Sequence, residues 1–152
     1  LQGGATTLWE HWEFSDNTYS HNHPMFGSVS AWFYESLAGI RPHPEAVGFD
    51  RIVTKPKVAG GVTWVKAHYD SVRGRVKSHW SVREGRFYLD LAIPVGTTAT
   101  VYIPAERMED VLEGTAPAEN AEGVRFLRME DGAAVFEVDS GSYTFVATRV
   151  RD

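Results

Sequence analysis

The 152-residue sequence contains no cysteine, so it forms neither disulfides nor thiolate metal sites. A cysteine-free chain tolerates oxidising and reducing surroundings alike, which leaves a cytoplasmic, periplasmic or secreted location open. No apolar run approaches the roughly 18–20 residues that a membrane span needs, so no membrane partner is expected. The first residues, LQGGATT, lack the basic and apolar regions of a signal peptide.

The sequence also lacks any block of like charge. Fifteen Lys and Arg residues against twenty Asp and Glu residues give a net charge of −5. A nucleic-acid partner is therefore not expected, because polyanion binding needs clustered basic residues. Hydrophobic residues make up 43% of the chain, which is ordinary for a globular protein with its own core.

The stretch SVSAWFYESLAGI has the hydrophobic spacing of a helix. Its apolar stripe, in which Trp32 and Phe33 are expected to be core residues, comprises Val29, Trp32, Phe33, Leu37 and Ile40. Pro24 lies where a first-turn proline is tolerated, and Gly39 is a plausible C-terminal cap. A shorter helix, or one turn of it, is predicted around Thr7–Trp12.

The pattern changes near residue 42, where the RPHPE stretch of Arg41–Glu45 interrupts the helical spacing. We therefore predict helices in residues 1–42 and a second domain in residues 43–152. FYLDLAI alternates with period two, and six further segments do the same: VTWVKAHYD, RVKSHWSV, ATVYI, VRFLRM, AVFEV and YTFVATRV. Turn signals separate these segments. Seven or eight short antiparallel strands predict a mainly β fold, an antiparallel β-sandwich, with Trp64 and Trp80 at interior positions.

The helical part carries more apolar surface than two short helices can bury against each other. Large exposed apolar patches are uncommon on monomers. We therefore expect residues 1–42 to be the end of a larger helical body and the chain to be a piece of a longer polypeptide. In isolation, these helices would fold onto the sandwich, stay partly mobile or drive self-association.

Two motifs carry a family resemblance. GATTLWEHW, followed by SHNHPMFGSVSAWFYESLAGI, resembles the end of the catalytic (α/α)6 barrel of bacterial α-L-rhamnosidases. The stretch from IVTKPK to TVYIPA is similar to the β-sandwich that closes those enzymes. The resemblance runs from about Gly4 to Ala105 and is specific in the ATT-hydrophobic-WE and NH…FGSV segments. Residues 106–152 fit the family's last strands without a distinctive motif.

The resemblance implies hydrolysis of terminal α-L-rhamnosides with inversion at the anomeric carbon, without a cofactor. It assigns the general base to Glu10 and a sugar contact to His23. Trp9 is a further candidate substrate contact, because an indole suits the C–H face of a pyranose, although packing in the barrel end is the alternative. The family's general acid and its main substrate contacts lie further upstream, so the partner of this site would be a rhamnose-containing glycoside held by the parent enzyme.

Glu10 also has a purely structural interpretation. Thr7-x-x-Glu10 fits a capping box, in which the glutamate bonds back to the N–H of the cap residue. His21 and His23 form an H-x-H pair, but this pattern without a third ligand is a weak metal signal, and no metal is predicted. Glu13 has no motif match and is interpreted as a solvated residue at a helix end.

Three functions remain open for the chain. The first is the C-terminal part of an α-L-rhamnosidase, inactive alone because its acid partner is missing. The second is an accessory carbohydrate-binding β-sandwich module, with a sugar-binding face built from Trp64 and Trp80. The third is structural, with the sandwich covering the barrel end, and we expect this to be the main role of the sandwich within the parent enzyme.

Overall fold

The computed structural model describes residues 4–11 and 20–148, except for the side chain of Phe26. Trp12 and Glu13, which the sequence placed in or beside a short helix, lie outside the described residues. The chain forms two compact units, Leu1–Phe33 and Tyr34–Asp152. Among the described residues, no helix is long and apolar enough to cross a membrane.

The predicted helix exists but is shorter and less regular than its hydrophobic spacing suggested. A 3₁₀ turn at Pro24–Ser28 leads into an α-helical turn, α1 (Val29–Trp32), and a π turn at Phe33–Leu37 ends the segment. Pro24 occupies the first turn as predicted. Trp32 and Phe33 are 45% and 49% exposed, so their assignment to a core is wrong for this chain. Ile40, the last residue of the predicted stripe, is buried but belongs to a strand and not to the helix.

The short helix predicted at Thr7–Trp12 is not present in residues 4–11, which form an irregular segment with bends. In a helix that begins at Thr7, the N–H of Glu10 would lie in the first turn and would bond to the Thr7 side chain. Here the N–H of Glu10 donates instead to the carbonyl of Ser20, at 3.0 Å. A tertiary bond therefore replaces the local one.

The second unit is a β-sandwich of two sheets. The five-stranded sheet has the order β1-β2-β6-β10-β9 and the six-stranded sheet has the order β3-β4-β5-β11-β7-β8. The strands are β1 (Ile40–Pro42), β2 (Arg51–Thr54), β3 (Trp64–Ser71), β4 (Gly74–Arg83), β5 (Arg86–Ile93), β6 (Thr98–Pro104), β7 (Val111–Glu113), β8 (Ala116–Pro117), β9 (Val124–Glu130), β10 (Ala133–Val138) and β11 (Gly141–Ala147). Two 3₁₀ turns, Met108–Asp110 and Ala118–Asn120, lie between them.

The core lies between the two sheets and confirms the period-two prediction. On β5, the four buried residues are Phe87, Leu89, Leu91 and Ile93. The rings of Phe136 on β10 and Phe145 on β11 stack across the sheets with centroids 6.1 Å apart. The mainly β, two-sheet architecture is therefore the one that the sequence predicted.

Three details of the sandwich differ from the sequence prediction. Strand β2 pairs with β6 in parallel, whereas the other strand pairs are antiparallel. Arg41 and Pro42, interpreted as a linker, belong to the edge strand β1, where a proline costs no ladder bond. The segment 113–123, interpreted as a loop, contains β8 and a 3₁₀ turn.

The two predicted interior tryptophans point in opposite directions. Trp80 is buried, with 2% of its surface exposed, whereas Trp64 is 62% exposed. The register between β3 and β4 pairs Trp64 with Ser81 and Val65 with Trp80. Since alternate residues of a strand face opposite sides, this register places Trp64 on the outer face. The interior assignment of Trp64 is therefore wrong.

The end of the helical segment is bonded to the sandwich through four consecutive carbonyl groups. The carbonyls of Ser36 and Gly39 accept from the N–H groups of Lys57 and Lys55, both at 3.0 Å. Those of Leu37 and Ala38 accept 2.7 Å bonds from the Trp80 indole and the Ser78 hydroxyl. A helix end leaves its last carbonyls without intrahelical partners, so the sandwich supplies the missing donors.

Gly39, predicted as a C-terminal cap, has a φ of +75°. A Cβ at this position would overlap the backbone of Lys55 and Pro56. Both the positive φ and the close approach of the β2 end therefore favour glycine.

Candidate functional site

The two motif segments in the first unit are held side by side by main-chain hydrogen bonds. The N–H of Glu10 donates to the carbonyl of Ser20 at 3.0 Å, and the N–H of His23 donates to the carbonyl of Leu8 at 2.6 Å. The hydroxyl of Thr7 adds a bond to the carbonyl of His21. Residues far apart in sequence, from the ATT-hydrophobic-WE motif and the NH motif, therefore occupy one small region.

A glycine in the second motif permits a further contact between these segments. A Cβ on Gly27 would lie 3.1 Å from Cδ1 of Leu8, which is tighter than ordinary van der Waals contact. Gly27 belongs to the FGSV part of the motif and Leu8 is the hydrophobic residue of the first motif. The small residue thus lets the two segments approach each other.

The three predicted site residues, Trp9, Glu10 and His23, are each partly buried. The ring of Trp9 lies 5.1 Å from that of His21, centroid to centroid, with a tilt of 46°. Among the described residues, no hydrogen bond or ion pair engages the carboxylate of Glu10 or the imidazole of His23. Within the described residues, these two side chains therefore keep their hydrogen-bonding groups for a ligand.

The capping-box interpretation of Glu10 is wrong. It requires the Thr7 side chain to accept from the N–H of Glu10. The Thr7 hydroxyl donates instead to the carbonyl of His21, while the N–H of Glu10 bonds to Ser20. The carboxylate of Glu10 consequently has no local structural role among the described residues.

The residue types in this group suit proton transfer and hydrogen bonding. Among the described residues, His, Asp and Glu side chains form no cluster of three or more that could hold a metal ion. A carboxylate can act as a general base towards a water molecule, and an imidazole can hydrogen-bond a hydroxyl group. An adjacent indole offers an apolar face to a sugar ring. These are the requirements of one side of a glycosidase site.

Comparison with known proteins decides which family carries these motifs. Residues 39–116, about half of the chain, match the bacterial alpha-L-rhamnosidase C-terminal domain. Residues 1–37 match the 6 hairpin glycosidase domain of bacterial alpha-L-rhamnosidase. The chain belongs to the bacterial α-L-rhamnosidase family. These matches confirm the resemblance seen in the sequence. The glycosidase-domain match comes first along the chain and the C-terminal-domain match follows it, as the resemblance implied.

The alpha-L-rhamnosidase of Streptomyces avermitilis is 38% identical over 95% of this chain and 14% of its own length. An alpha-L-rhamnosidase of Formosa agariphila is 27% identical over 97% of this chain and 16% of its own length. The crystal structure of the Streptomyces avermitilis enzyme with L-rhamnose superposes with a TM-score of 0.79, at 36% identity, over 96% of this chain and 14% of that one. This chain therefore spans about one seventh of the length of these relatives.

A structure of alpha-L-rhamnosidase from Dictyoglumus thermophilum is similar at a TM-score of 0.76 and 36% identity, covering 95% of this chain and 16% of that one. The fold is thus shared by solved α-L-rhamnosidases.

The sugar-binding face proposed from Trp64 and Trp80 is wrong in its second member, because Trp80 is buried between the sheets. Sequence reasoning missed the polar and aromatic residues that share the outer face of the six-stranded sheet with Trp64. Trp64, His79, Asp90 and Tyr88 line an open groove there. The sequence shows that, on each strand, these residues are separated by an even number of positions and so share a face. It does not show the register that places them side by side.

Proposed function

We propose that this chain supplies the end of the catalytic (α/α)6 barrel and the closing β-sandwich of an inverting glycoside hydrolase that releases terminal α-L-rhamnose from glycosides. The observation that carries the proposal is the pairing of the Thr7–Glu10 segment with the Ser20–His23 segment, which places Glu10, Trp9 and His23 in one region. Family membership and the rhamnose complex of the Streptomyces avermitilis relative support the substrate class.

In this proposal Glu10 is the general base. It removes a proton from a water molecule whose oxygen attacks the anomeric carbon, while a carboxylic acid on the opposite side protonates the departing glycosidic oxygen. Inversion requires the two carboxyl groups to be about 6.5–9.5 Å apart so that the water fits. His23 hydrogen-bonds a sugar hydroxyl and Trp9 covers a C–H face of the ring. The acid belongs to the part of the parent enzyme upstream of this chain.

The 152-residue chain by itself is therefore expected to be inactive, because one carboxylate without its acid partner cannot complete the reaction. Release of p-nitrophenol from p-nitrophenyl α-L-rhamnoside measures this directly. Turnover by the isolated chain at a rate typical of enzymes, about 1–1000 per second, would show that the acid lies within it and would refute the proposal.

The role of Glu10 is tested in the parent enzyme. Replacement Glu10→Ala should lower kcat by about 10²–10⁴, because base catalysis is lost while acid catalysis remains. Sodium azide should restore turnover, since azide attacks the anomeric carbon without deprotonation and yields the rhamnosyl azide of inverted configuration. Glu119→Ala, at an exposed glutamate of the sandwich, is the matched control and should keep full activity. Loss of activity without azide rescue would instead indicate a structural role for Glu10.

The sandwich mainly supports the helical domain in this proposal. The four carbonyls of Ser36–Gly39 all accept donors from the sandwich, so the end of the helical segment is fixed to it. The exposed apolar residues of the segment, Met25, Val29, Trp32 and Phe33, would be covered by other helices of the parent. The isolated chain should consequently self-associate, which sedimentation velocity at increasing concentration would detect as a rising mean mass. A monomer at every concentration would contradict this expectation.

A further inference from the structure

The outer face of the six-stranded sheet carries an open groove of about 640 Å³, within the size range of small-molecule sites. It is lined by residues of β3, β4, β5 and β11 in the second unit. Nothing in the candidate hydrolytic site uses these residues.

The groove owes its shape to one small residue between two aromatic ones. Cross-strand pairing places Ser81 directly opposite Trp64 on one side and Tyr88 on the other. Two interstrand spacings put the backbones of Trp64 and Tyr88 about 9.5 Å apart. The short Ser81 side chain therefore forms the floor of a trough with an aromatic wall on each side.

One aromatic wall is exposed to solvent and the other is held in place by a neighbouring side chain. Trp64 is 62% exposed, which is unusual for so large an apolar side chain in a paired strand. The guanidinium of Arg83 lies over the Tyr88 ring, with Cζ 4.5 Å from its centroid. This cation–π contact holds one face of the tyrosine and restricts its motion.

A polar row runs beside the aromatic one. Register places Lys66 opposite His79, His79 opposite Asp90, and Asp90 opposite Thr144. The two rows are two residues apart along each strand, or about 6.8 Å. The Thr144 hydroxyl donates to Oδ1 of Asp90 at 3.2 Å, which orients that carboxylate. Ammonium, imidazole and carboxylate groups thus stand in a line that crosses the trough next to the aromatic row.

Partial burial and several charged neighbours determine the protonation state of the imidazole in this row. Burial, followed by the positive charges of Lys77 and Lys66, lowers the pKa of His79 below its usual value of 6.5, although Asp90 opposes the shift. His79 is therefore neutral at pH 7 and both donates and accepts hydrogen bonds.

We propose that this groove binds a neutral pyranoside, with Trp64 and Tyr88 flanking the ring and Lys66, His79 and Asp90 bonding its hydroxyl groups. Aromatic walls match the C–H faces of a sugar, and a mixed row of donors and acceptors matches a polyol. The carboxylate of Asp90 in this row disfavours a polyanion. The proposal is independent of the hydrolytic function and makes the sandwich a sugar-binding module as well as a support.

The test is an NMR titration of the ¹⁵N-labelled chain with methyl α-L-rhamnoside and a panel of neutral methyl pyranosides. At least one should give saturable shifts of the Trp64 indole N–H and of the amides around Ser81 and Asp90. Trp64→Ala and Ser81→Phe should each weaken that binding about tenfold or more, the first by removing a wall and the second by filling the trough. Trp64→Tyr should retain most of the affinity.

His68→Ala is the matched control, because His68 is an exposed residue on the same strand as Trp64 and outside the groove. It should leave the affinity unchanged. Absence of saturable shifts with every pyranoside would overturn the proposal, as would binding that survives both Trp64→Ala and Ser81→Phe. Binding at the candidate hydrolytic site is distinguished by shifts at Glu10 and His23 that persist in Ser81→Phe, so the two proposals fail separately.

Discussion

The indole N–H of Trp80 donates a 2.7 Å hydrogen bond to the carbonyl oxygen of Leu37, joining a buried strand of the sandwich to the end of the helical segment. The hydroxyl of Ser78, two residues earlier on the same strand, makes the equivalent bond to Ala38. Both donors are buried, so the two carbonyls depend on them rather than on water.

Replacement Trp80→Phe keeps an aromatic ring in the core but removes the donor to Leu37. We expect the free energy of unfolding to fall by about 2–3 kcal/mol, from the unsatisfied carbonyl and the smaller ring together. Urea denaturation followed by circular dichroism measures the change. Trp64→Phe, at the exposed tryptophan, should cost at most about 0.5 kcal/mol. Equal losses at the two positions would disprove the anchoring role of Trp80.

Gly39→Ala should be strongly destabilising for two reasons that can be separated. The residue has a φ of +75°, and its Cβ would overlap the backbone of Lys55 and Pro56. Gly132 has the same φ of +75° but open space around its Cβ position. Gly132→Ala should therefore cost only the conformational part, about 1–2 kcal/mol, and Gly39→Ala measurably more in the same denaturation experiment. Identical losses would show that the overlap is relieved without cost.

Thr54→Val should stabilise the protein. The hydroxyl of Thr54 is fully buried, and within the described part of the chain no polar atom reaches it. Valine keeps the shape and removes the desolvated group, for a gain of about 1 kcal/mol in the free energy of unfolding. The matched change is Thr97→Val, where the hydroxyl donates to the carbonyl of Pro94 at 2.6 Å and a loss is expected. A loss at both positions would mean that Thr54 has an unrecognised partner.

Tyr143 should make stability fall at alkaline pH. Burial, then the negative charges of Asp139, Glu113 and Glu122, raises the pKa of its phenol above the usual value of 10.0. The unfolded chain therefore loses this proton at lower pH than the folded one, and stability declines as pH rises from about 10 through the folded pKa. Tyr143→Phe should show a smaller decline between pH 9 and 11. An unchanged slope in the variant would assign the effect to other groups.

His79 should titrate below pH 6.5, because burial and the positive charges of Lys77 and Lys66 lower the pKa of its imidazole. Its imidazole resonances, followed by NMR from pH 4 to 8, give the midpoint. Lys77→Gln should raise that midpoint and Asp90→Asn should lower it, because the first removes a repelling charge and the second an attracting one. Shifts of the opposite sign would contradict the electrostatic environment inferred for the groove.

The two-sheet fold was predictable because burial alternates along β4, β5 and β6. Phe87, Leu89, Leu91 and Ile93 on β5 show this pattern in the sequence and in the structure. Short strands such as β1 and β8 lack enough residues to show a period, so they were interpreted as linker and loop. The face on which Trp64 lies depended on the pairing of β3 with β4, which side-chain pattern alone does not specify.

The candidate hydrolytic site was predictable only through its motifs. Glu10 and His23 were chosen by their resemblance to a family, and their roles remain a proposal. The pairing of their backbones is a tertiary feature, and local patterns instead favoured a helix with a capping box at Thr7. The sequence correctly predicted that the helical segment has more apolar surface than this chain can bury, since Val29, Trp32 and Phe33 are about half exposed.

The positions of β10 and β11 have a consequence for biosynthesis. Strand β10 lies between β6 and β9 in one sheet, and β11 lies between β5 and β7 in the other. Both sheets therefore stay split until the ribosome has released nearly the last residues that the structure describes. Premature termination or proteolytic cleavage before β10 would remove one inner strand from each sheet. The strands on either side would then expose unpaired main-chain N–H and C=O groups, and we expect such a product to aggregate or be degraded.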